Sequence, residues 1–468
     1  MLESAPQFGG RARGLHWQVN GREFAIDNGQ HLMIGAYCET LDLLKLVNAP
    51  RWNTEPLRWC AVSHRGQIEL DWRVSDCAWP WRALITMLPG HQPLRRRKVW
   101  PLTWRHSLLR VVRSVNSMRS LSNAMDRSPN KPTAKGWLQS LNVPQPLIDG
   151  FWKPLTEGAL NTEFDNACAQ VLANVIHDAL CGPVGATRVI TPPVNLSVDG
   201  VDPIVRWLSR QHVTMLAGHR VTEIRRKSDA LKLNSQSSHI PNSGFTDASF
   251  VLSVGWGDHQ QFFDFDQVVM ALPFGATLEL WGRSDLPSTD ASARLQQLNP
   301  RAITTVWIAL DAQQEKRLAH LPTWFVLQHE PGVQQFAQVI VKRVGVIAAV
   351  TSARALEHTS SDQSMLSLQL AEQLQHALGI DIRSCPQKWI TEKRATWAAT
   401  PQAQWTNPSQ AGLQTCGATG VAGLWRCGDD LEPGYPATIE SAVRSGRRTA
   451  KALLACLRAN NSDGQRSD

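Results

Sequence analysis

Between Leu424 and Ala450 the chain reads LWRCGDDLEPGYPATIESAVRSGRRTA, and no other stretch restricts the fold as strongly. A short apolar run, the mark of a buried strand, enters Gly428-Asp429; a Pro/Gly-rich loop follows, and a helix starts near Thr438. The amides of Ala437, Thr438 and Ile439 would then point out of the helix start, a place that favours negative charge. Ala442, Ser445 and Gly446 are small enough for that helix to pack closely on a sheet. Asp266–Leu272 (DQVVMAL) is another short continuous apolar run and reads as a buried parallel strand. Short buried strands so far apart predict an α/β sheet assembled from separated pieces of chain.

The remaining pattern fits an inserted second domain. Leu15–Ile26 reads as two strands around Asn20-Gly21, a strong hairpin signal, and Arg58–Val74 repeats the pattern around Arg65-Gly66. Helices are expected over Tyr37–Val47, Arg105–Met125, Phe164–Leu180, Val201–Gln211, Ser364–Leu378 and Ile439–Ala455. Val213–Ile224 is strand-like, Ser228–Gly257 reads as a hairpin excursion, and the polar stretch from Ala459 reads as a disordered tail.

Composition narrows the class. The 468 residues suffice for two or three domains, and 43% apolar with 19% charged residues excludes global disorder. No apolar run approaches the ~20 residues of a spanning helix; the best stretch, Val339–Val350, is broken by Lys342 and Arg343. The start shows no pattern of a secretory signal, and the 9 cysteines are scattered without a C-x-x-C pair, so reduced thiols in a cytoplasmic setting are expected. The histidines do not cluster as metal ligands, and neither H-E-x-x-H nor G-x-S-x-G occurs. Of the formal net charge of +8, nine positive charges fall between Asp76 and Asp126 without an acidic residue, leaving 8 − 9 = −1 for the rest. In that segment Arg82, Arg95–Lys98, Arg105, Arg110, Arg113 and Arg119 interleave with Trp79, Trp81, Trp100 and Trp104. Arg with Trp suits contact of Arg95–Arg113 with an anionic membrane surface; a solvated basic helix over an ordinary core face is the alternative. The basic residues are not spread over several elements as nucleic-acid binding would require.

Two further segments carry chemistry. Met1–Gly14 (MLESAPQFGGRARG) has what a dinucleotide site needs. Glu3 can accept ribose hydroxyls, Gly9 and Gly10 let the backbone approach a diphosphate, and Arg11 and Arg13 can neutralise it. A surface Gly-Gly turn would look similar. Asp27–Gly35 (DNGQHLMIG) places Gly29, Gln30 and His31 directly after a strand, suited to packing against a planar ring or to an ordinary turn. Asp429 can hydrogen-bond a ribitol or a diphosphate-side group, and the helix start near Thr438 suits the pyrimidine end of a reduced flavin.

Together these motifs resemble the FAD-dependent amine oxidase and carotenoid desaturase superfamily, and within it the hydroxysqualene dehydroxylases. The closer resemblance rests on GGRAR at Gly9–Arg13, DNGQHLMIGAY at Asp27–Tyr37 and FWKPLTEGALNT at Phe151–Thr162. FDQVVMALP at Phe265–Pro273, EKRATWAATP at Glu392–Pro401 and GYPATIESAVRSGR at Gly434–Arg447 complete it. It implies an FAD-binding, Rossmann-like domain assembled from residues 1–75, 205–275 and 410–458, with an α+β substrate domain from 76–204 and 276–409 and a tail at 459–468. FAD would be held by Glu3, Gly9, Gly10, Arg11, Arg13, Gly29, Gln30, Val221, Gly428, Asp429, Tyr435, Pro436, Ala437 and Thr438. Plain sheet pairing is the alternative for Val221.

The superfamily opens with a strand and a G-x-G-x-x-G turn, and neither stands before Glu3. The first βα unit is therefore expected to be missing from the chain as written, with weak FAD binding as the consequence. The implied reaction is reductive removal of the hydroxyl of hydroxysqualene, an apolar C30 isoprenoid, to give squalene for hopanoids. It proceeds by ionisation of an allylic alcohol and hydride transfer from reduced flavin. His31 is the first candidate for proton donor; its alternative role is to bond backbone or flavin. Glu157 is the second, provided burial raises its pKa. An oxidative desaturase or amine oxidase, and a non-catalytic scaffold for neighbouring squalene-pathway enzymes, are the competing readings.

Overall fold

The computed structural model describes residues 1–77, 102–125, 131–227, 250–255, 260–328, 336–355, 363–403 and 416–464. Arg82, Arg95–Lys98 and most of the Ser228–Gly257 excursion lie outside them. Both hairpins form. Gly14–Val19 pairs antiparallel with Arg22–Asp27, and Asn20 and Gly21 take φ of 51° and 71°, the left-handed pair that a two-residue hairpin needs. Arg58–Val62 pairs with Ile68–Arg73 across a turn in which Gly66 has φ 74°.

The largest element is a seven-stranded sheet. Its order is Gln387–Trp397, Pro300–Ala309, Val346–Ala355, Val339–Arg343, Trp324–Leu327, Arg58–Val62 and Ile68–Arg73. All neighbours are antiparallel except Trp324–Leu327 with Arg58–Val62. The hairpin Arg58–Arg73, grouped on the sequence with the cofactor-binding pieces of residues 1–75, thus belongs to the sheet built otherwise from residues 300–397. Hairpin periodicity fixes the local pairing but not the sheet a hairpin joins.

Both faces of this sheet are buried, which explains continuous runs such as TTVWIAL and VIAAV. One face presents Trp59, Ala61, Trp307, Val326, Val341 and Ala348 to the helical layer of Trp137, Leu138, Leu160, Val171 and Leu172. The other presents Cys60, Val62, Val306, Ile308, Phe325 and Ile347 to the helix Gln363–Leu378 through Leu370, Ala371 and Leu374.

The separated pieces expected from the sequence also come together. Val268–Met270 runs parallel to Leu424–Arg426, with Val269 opposite Trp425. Leu2 forms a parallel bridge to Leu216, and Phe250–Val254 lies between Val221–Arg226 and Gln261–Phe265. A third core of Ile224, Phe250, Leu252, Val268, Met270, Trp281 and Leu424 binds these strands to the helix Phe274–Arg283. The C-terminal helix, expected over Ile439–Ala455, runs from Ile439 to Gly464. The stretch from Ala459 read as a disordered tail is therefore helical to Gly464; Ala459–Asp463 contains no proline to stop the helix.

The C-terminal helix is fastened at its start. The Glu440 carboxylate, fully buried, accepts from the Thr40 amide at 2.9 Å, the Thr40 hydroxyl at 2.8 Å and the Glu39 amide at 3.2 Å. It thereby caps the helix Cys38–Leu46, whose preceding residue Tyr37 supplies no side-chain cap. Arg444 donates to the same carboxylate at 2.8 Å. Glu440→Ala leaves two helix-start amides without their acceptor and takes from Arg444 the nearer of two carboxylates, the other being Asp178 at 3.4 Å, an expected loss of about 3 kcal/mol. Denaturant titration checks this: the midpoint falls while the slope stays constant.

Candidate functional site

The N-terminal loop is built for close approach. Gly9 has φ +116°, and a Cβ there would stand 2.7 Å from the Ala12 carbonyl oxygen and 2.9 Å from Val201. Gly10 has φ +55°, and a Cβ there would meet nothing within 4 Å, so its open side is free for a ligand. Arg11 crosses to the end of the Leu424–Arg426 strand and donates to Asp429 at 2.9 Å; its other nitrogen donates to the Ala395 carbonyl. Burial pulls the Arg11 guanidinium down, but the Asp429 carboxylate outweighs it and holds it above its ordinary value. Arg13 Nε is buried with no hydrogen-bond partner among the described residues. The Glu3 carboxylate turns back on its own loop, accepting from the Ala5 amide at 2.8 Å.

The C-terminal half completes the cradle. Gly428 is extended, and its amide and carbonyl both engage the Ser445 hydroxyl, at 2.9 and 2.7 Å, which seats the helix against the strand end. Thr438 caps the helix through the Ser441 amide at 3.2 Å, and the Ser441 hydroxyl donates to the Pro436 carbonyl at 2.6 Å. Tyr435 lies under the Arg444 guanidinium, 4.2 Å from the ring centre. Ala437 follows, packed against the main core. Tyr37, not singled out on the sequence, reaches the same corner: burial pushes its hydroxyl up to about 12, and a hydrogen bond with Thr438 opposes the rise.

The Asp27–Gly35 segment lies between this cradle and the large sheet. Asp27 is fully buried; it accepts from the Leu196 amide at 2.7 Å and Arg343 at 2.8 Å, while its carbonyl accepts from the Trp307 indole at 3.1 Å. Next to this anchor the Gln30 amide donates to the Thr305 hydroxyl at 3.5 Å, and Gln30 Oε1 is buried without a partner. Gly29 faces His31 and Thr305 loosely, its absent Cβ 3.9 Å from each. Gly35 instead packs on the backbone of Gly185, where a Cβ would lie 1.9 Å from the carbonyl oxygen, so its role is chain contact.

Burial shifts the two proton-donor candidates in opposite directions. Burial pushes His31 below its ordinary value, Arg11 and Arg343 push the same way, and Asp27 opposes them. A neutral imidazole donates a hydrogen bond but carries no spare proton. Burial pushes Glu157 up; Lys153 and the Phe164 amide oppose, while Glu163 and Asp165 add to the rise. Both lie toward one face of the large sheet. Thr305, bonded to Gln30, stands opposite Val350, and Ser352, bonded to the Glu157 carbonyl at 3.2 Å, is two residues further along that strand. Residues two apart in a strand point to the same face.

Val221 opens its strand opposite Val254 on an edge of the three-stranded sheet. Asp27, Thr305 and Arg343 were not singled out as site residues. The available signals were a carboxylate directly after an apolar strand and the Lys342-Arg343 interruption of the Val339–Val350 run. Among the described residues no group of His, Cys, Asp and Glu is arranged to hold a metal ion, and no helix is long and apolar enough to cross a membrane.

The donor set fits a dinucleotide that spans the two halves. Paired left-handed glycines, a buried guanidinium nitrogen without an acceptor, a buried amide oxygen without a donor and a helix start converge from both ends of the chain. The protein is a flavin-dependent oxidoreductase with an α/β fold: residues 1–454 match the family described as flavin containing amine oxidoreductase, and the chain belongs to it, with FAD as its cofactor. Among curated relatives, a hydroxysqualene dehydroxylase of Rhodopseudomonas palustris is 25% identical over 334 residues, 70% of this chain and 68% of the relative. One from Zymomonas mobilis is 23% identical over 97% of this chain and 92% of its own. Solved structures share the fold: a putrescine oxidase bound to putrescine at 12% identity and TM-score 0.62, covering 97% of this chain and 93% of that one, and cyclohexylamine oxidase from Brevibacterium oxydans at 13% and 0.63, covering 98% and 93%.

Arg11→Met removes the bridge between the two halves of the cradle. The expected result is at least a tenfold weaker FAD affinity with unchanged far-ultraviolet circular dichroism, read by titrating flavin fluorescence.

Proposed function

We propose that this enzyme reductively removes the hydroxyl of hydroxysqualene, or a closely similar C30 isoprenoid alcohol, to give squalene for hopanoid or other triterpene synthesis. The observation that carries the reading is that three curated relatives, one aligned along 97% of this chain, bear the hydroxysqualene dehydroxylase name. The oxidative desaturase and amine oxidase readings and the non-catalytic scaffold have less support: no curated relative found carries such a name.

In this reading Gly9, Gly10, Arg11 and Arg13 hold the diphosphate, Glu3 the ribose, and Val221 the adenine through its backbone. Gly428 and Asp429 hold the ribitol side, with Gly29, Gln30 and Tyr435–Thr438 around the ring. Bound FAD, once reduced, would supply a hydride, the electron pair together with its hydrogen, to the carbon that loses its oxygen. The chain supplies the rest. Glu157, raised by burial, gives its proton to the hydroxyl oxygen, so that the C–O bond breaks with water as leaving group. His31, held neutral, orients the hydroxyl by a hydrogen bond. The division into a discontinuous Rossmann-like cofactor domain and a substrate domain is part of the same proposal, with Arg58–Arg73 moved to the latter.

The test is anaerobic incubation of the FAD-loaded, dithionite-reduced protein with hydroxysqualene, followed by mass spectrometry. Squalene is the expected product; flavin-loaded protein that forms none ends the reading. Glu157→Gln is expected to lower kcat by on the order of 100-fold or more, and His31→Gln by about tenfold.

The enzyme would work in the cytoplasm, at the inner face of the membrane that holds its substrate, beside the other squalene-forming enzymes. Arg95–Lys98 lie outside the described residues; on the helix Leu102–Met125, Arg110 donates to the Leu141 and Asn142 carbonyls and Arg119 to Asn174. Replacing Arg95, Arg96, Arg97 and Lys98 by Gln should release the protein from anionic vesicles in a sedimentation assay; unchanged partitioning refutes the contact.

A further inference from the structure

The helix bearing Glu157 ends against a corner of the large sheet where the backbone is strained. Asn161 has φ 45° and Ala353 φ 58°, both left-handed without being glycine. They are locked together: Asn161 Oδ1 accepts from the Ala353 amide. The Asn161 amide nitrogen donates to the Thr396 hydroxyl at 2.8 Å. Left-handed backbone costs roughly 1–2 kcal/mol at a residue with a Cβ, and such strain persists where surrounding bonds over-determine it.

Three hydrogen bonds lead from this corner to the carboxyl group. Ser352, beside Ala353, donates its amide at 3.0 Å and its hydroxyl at 2.7 Å to Gln338 Oε1. Gln338 Nε2 donates to Glu157 Oε2 at 3.2 Å. Both functional ends of Gln338 are thus committed, and flipping its amide would set Nε2 against the Ser352 backbone N–H, which can only donate. Among the described residues Glu157 Oε1 receives only the Phe164 amide at 3.4 Å, a long bond, and is the oxygen left to carry a proton. On the far side, Ala395, which precedes Thr396, accepts from Arg11 of the cofactor loop.

We propose that Gln338 is a positioning residue for Glu157. Clamped by Ser352, it fixes Oε2 as the acceptor oxygen and leaves Oε1 to present the proton, while Asn161 ties this corner to the strand that Arg11 of the cofactor cradle grips. The inference rests on the reading of Glu157 as proton donor. The charged groups facing Glu157 are Lys153 on its own helix and Glu163 and Asp165 on the following loop; the sheet side contributes the neutral Gln338 and Ser352.

A donor to the carboxylate favours the charged form, so removing it raises the pKa. Activity that needs the protonated acid is lost as pH rises through that pKa. In Gln338→Met, of similar length, the alkaline limb of the kcat profile should move to higher pH and kcat at its plateau should fall about tenfold. Ser352→Ala, a smaller change, frees the Gln338 amide and should move the limb the same way by less. A second readout needs no turnover: infrared titration of the carboxyl band that disappears in Glu157→Gln, recorded on the FAD-loaded protein. A shift of that band in either variant supports the positioning role even where hydroxysqualene proves not to be the substrate. An unmoved band and an unmoved limb, in folded variants that retain flavin, overturn it.

Discussion

A guanidinium from the N-terminal loop meets a carboxylate from the turn after the strand Leu424–Arg426, and the cradle depends on that meeting. Arg11 and Asp429 stand 2.9 Å apart, with the carboxylate almost fully buried. Removing Arg11 would leave the buried Asp429 carboxylate a charge that the interior cannot solvate, so the two ends are held in one arrangement. The same guanidinium reaches the Ala395 carbonyl on the edge of the seven-stranded sheet. One side chain therefore sets the place of the N-terminal loop against the C-terminal strand and against the sheet at once. Glycines 9 and 10 can keep an open left-handed path because Arg11 fixes the loop that they form.

The large sheet organises the rest. One of its faces serves only as core, closed by the helix Gln363–Leu378. The other receives Asp27 through the Trp307 indole and Gln30 through Thr305, and further along takes the helix of Glu157. Two ionisable groups on one face are pushed in opposite directions by the same cause. Burial holds the imidazole of His31 neutral and the carboxyl of Glu157 protonated to higher pH, since desolvation always disfavours the charged form. Neighbouring guanidiniums, Arg11 and Arg343, deepen the effect on His31.

Much of this was legible in order along the chain. Val268–Met270 and Leu424–Arg426 read as buried strands because apolar residues run without alternation, and they pair parallel. Asn20-Gly21 announced its hairpin through turn chemistry alone. What periodicity could not show was partnership across distance. Arg58–Arg73 looked like any half-buried hairpin, and only Val326 and Leu327, against Ala61 and Val62, decide which sheet it extends. Of the residues named for the cofactor, Arg11 and Asp429 meet, and Gly428 is tied to the C-terminal helix through Ser445; glycine, charge and helix start each have a local signature. Asp27 and Arg343 carried only the faint signals noted above and Thr305 none: their contacts join residues hundreds of positions apart. Gln338 was invisible for the same reason, its neighbours being ordinary polar residues of a strand end.

Glu440 has a consequence for how the molecule comes to exist. The acceptor that satisfies the start of the helix Cys38–Leu46 sits 400 residues downstream of Thr40. At about 5–20 residues per second, a ribosome would take roughly 20–80 s to deliver it. Throughout that interval the early helix has an unfinished end, and the pieces that will flank it have no settled order. Assembly of the cradle thus waits on the C-terminal helix, and chaperone dependence should be decided during this wait rather than by the finished structure.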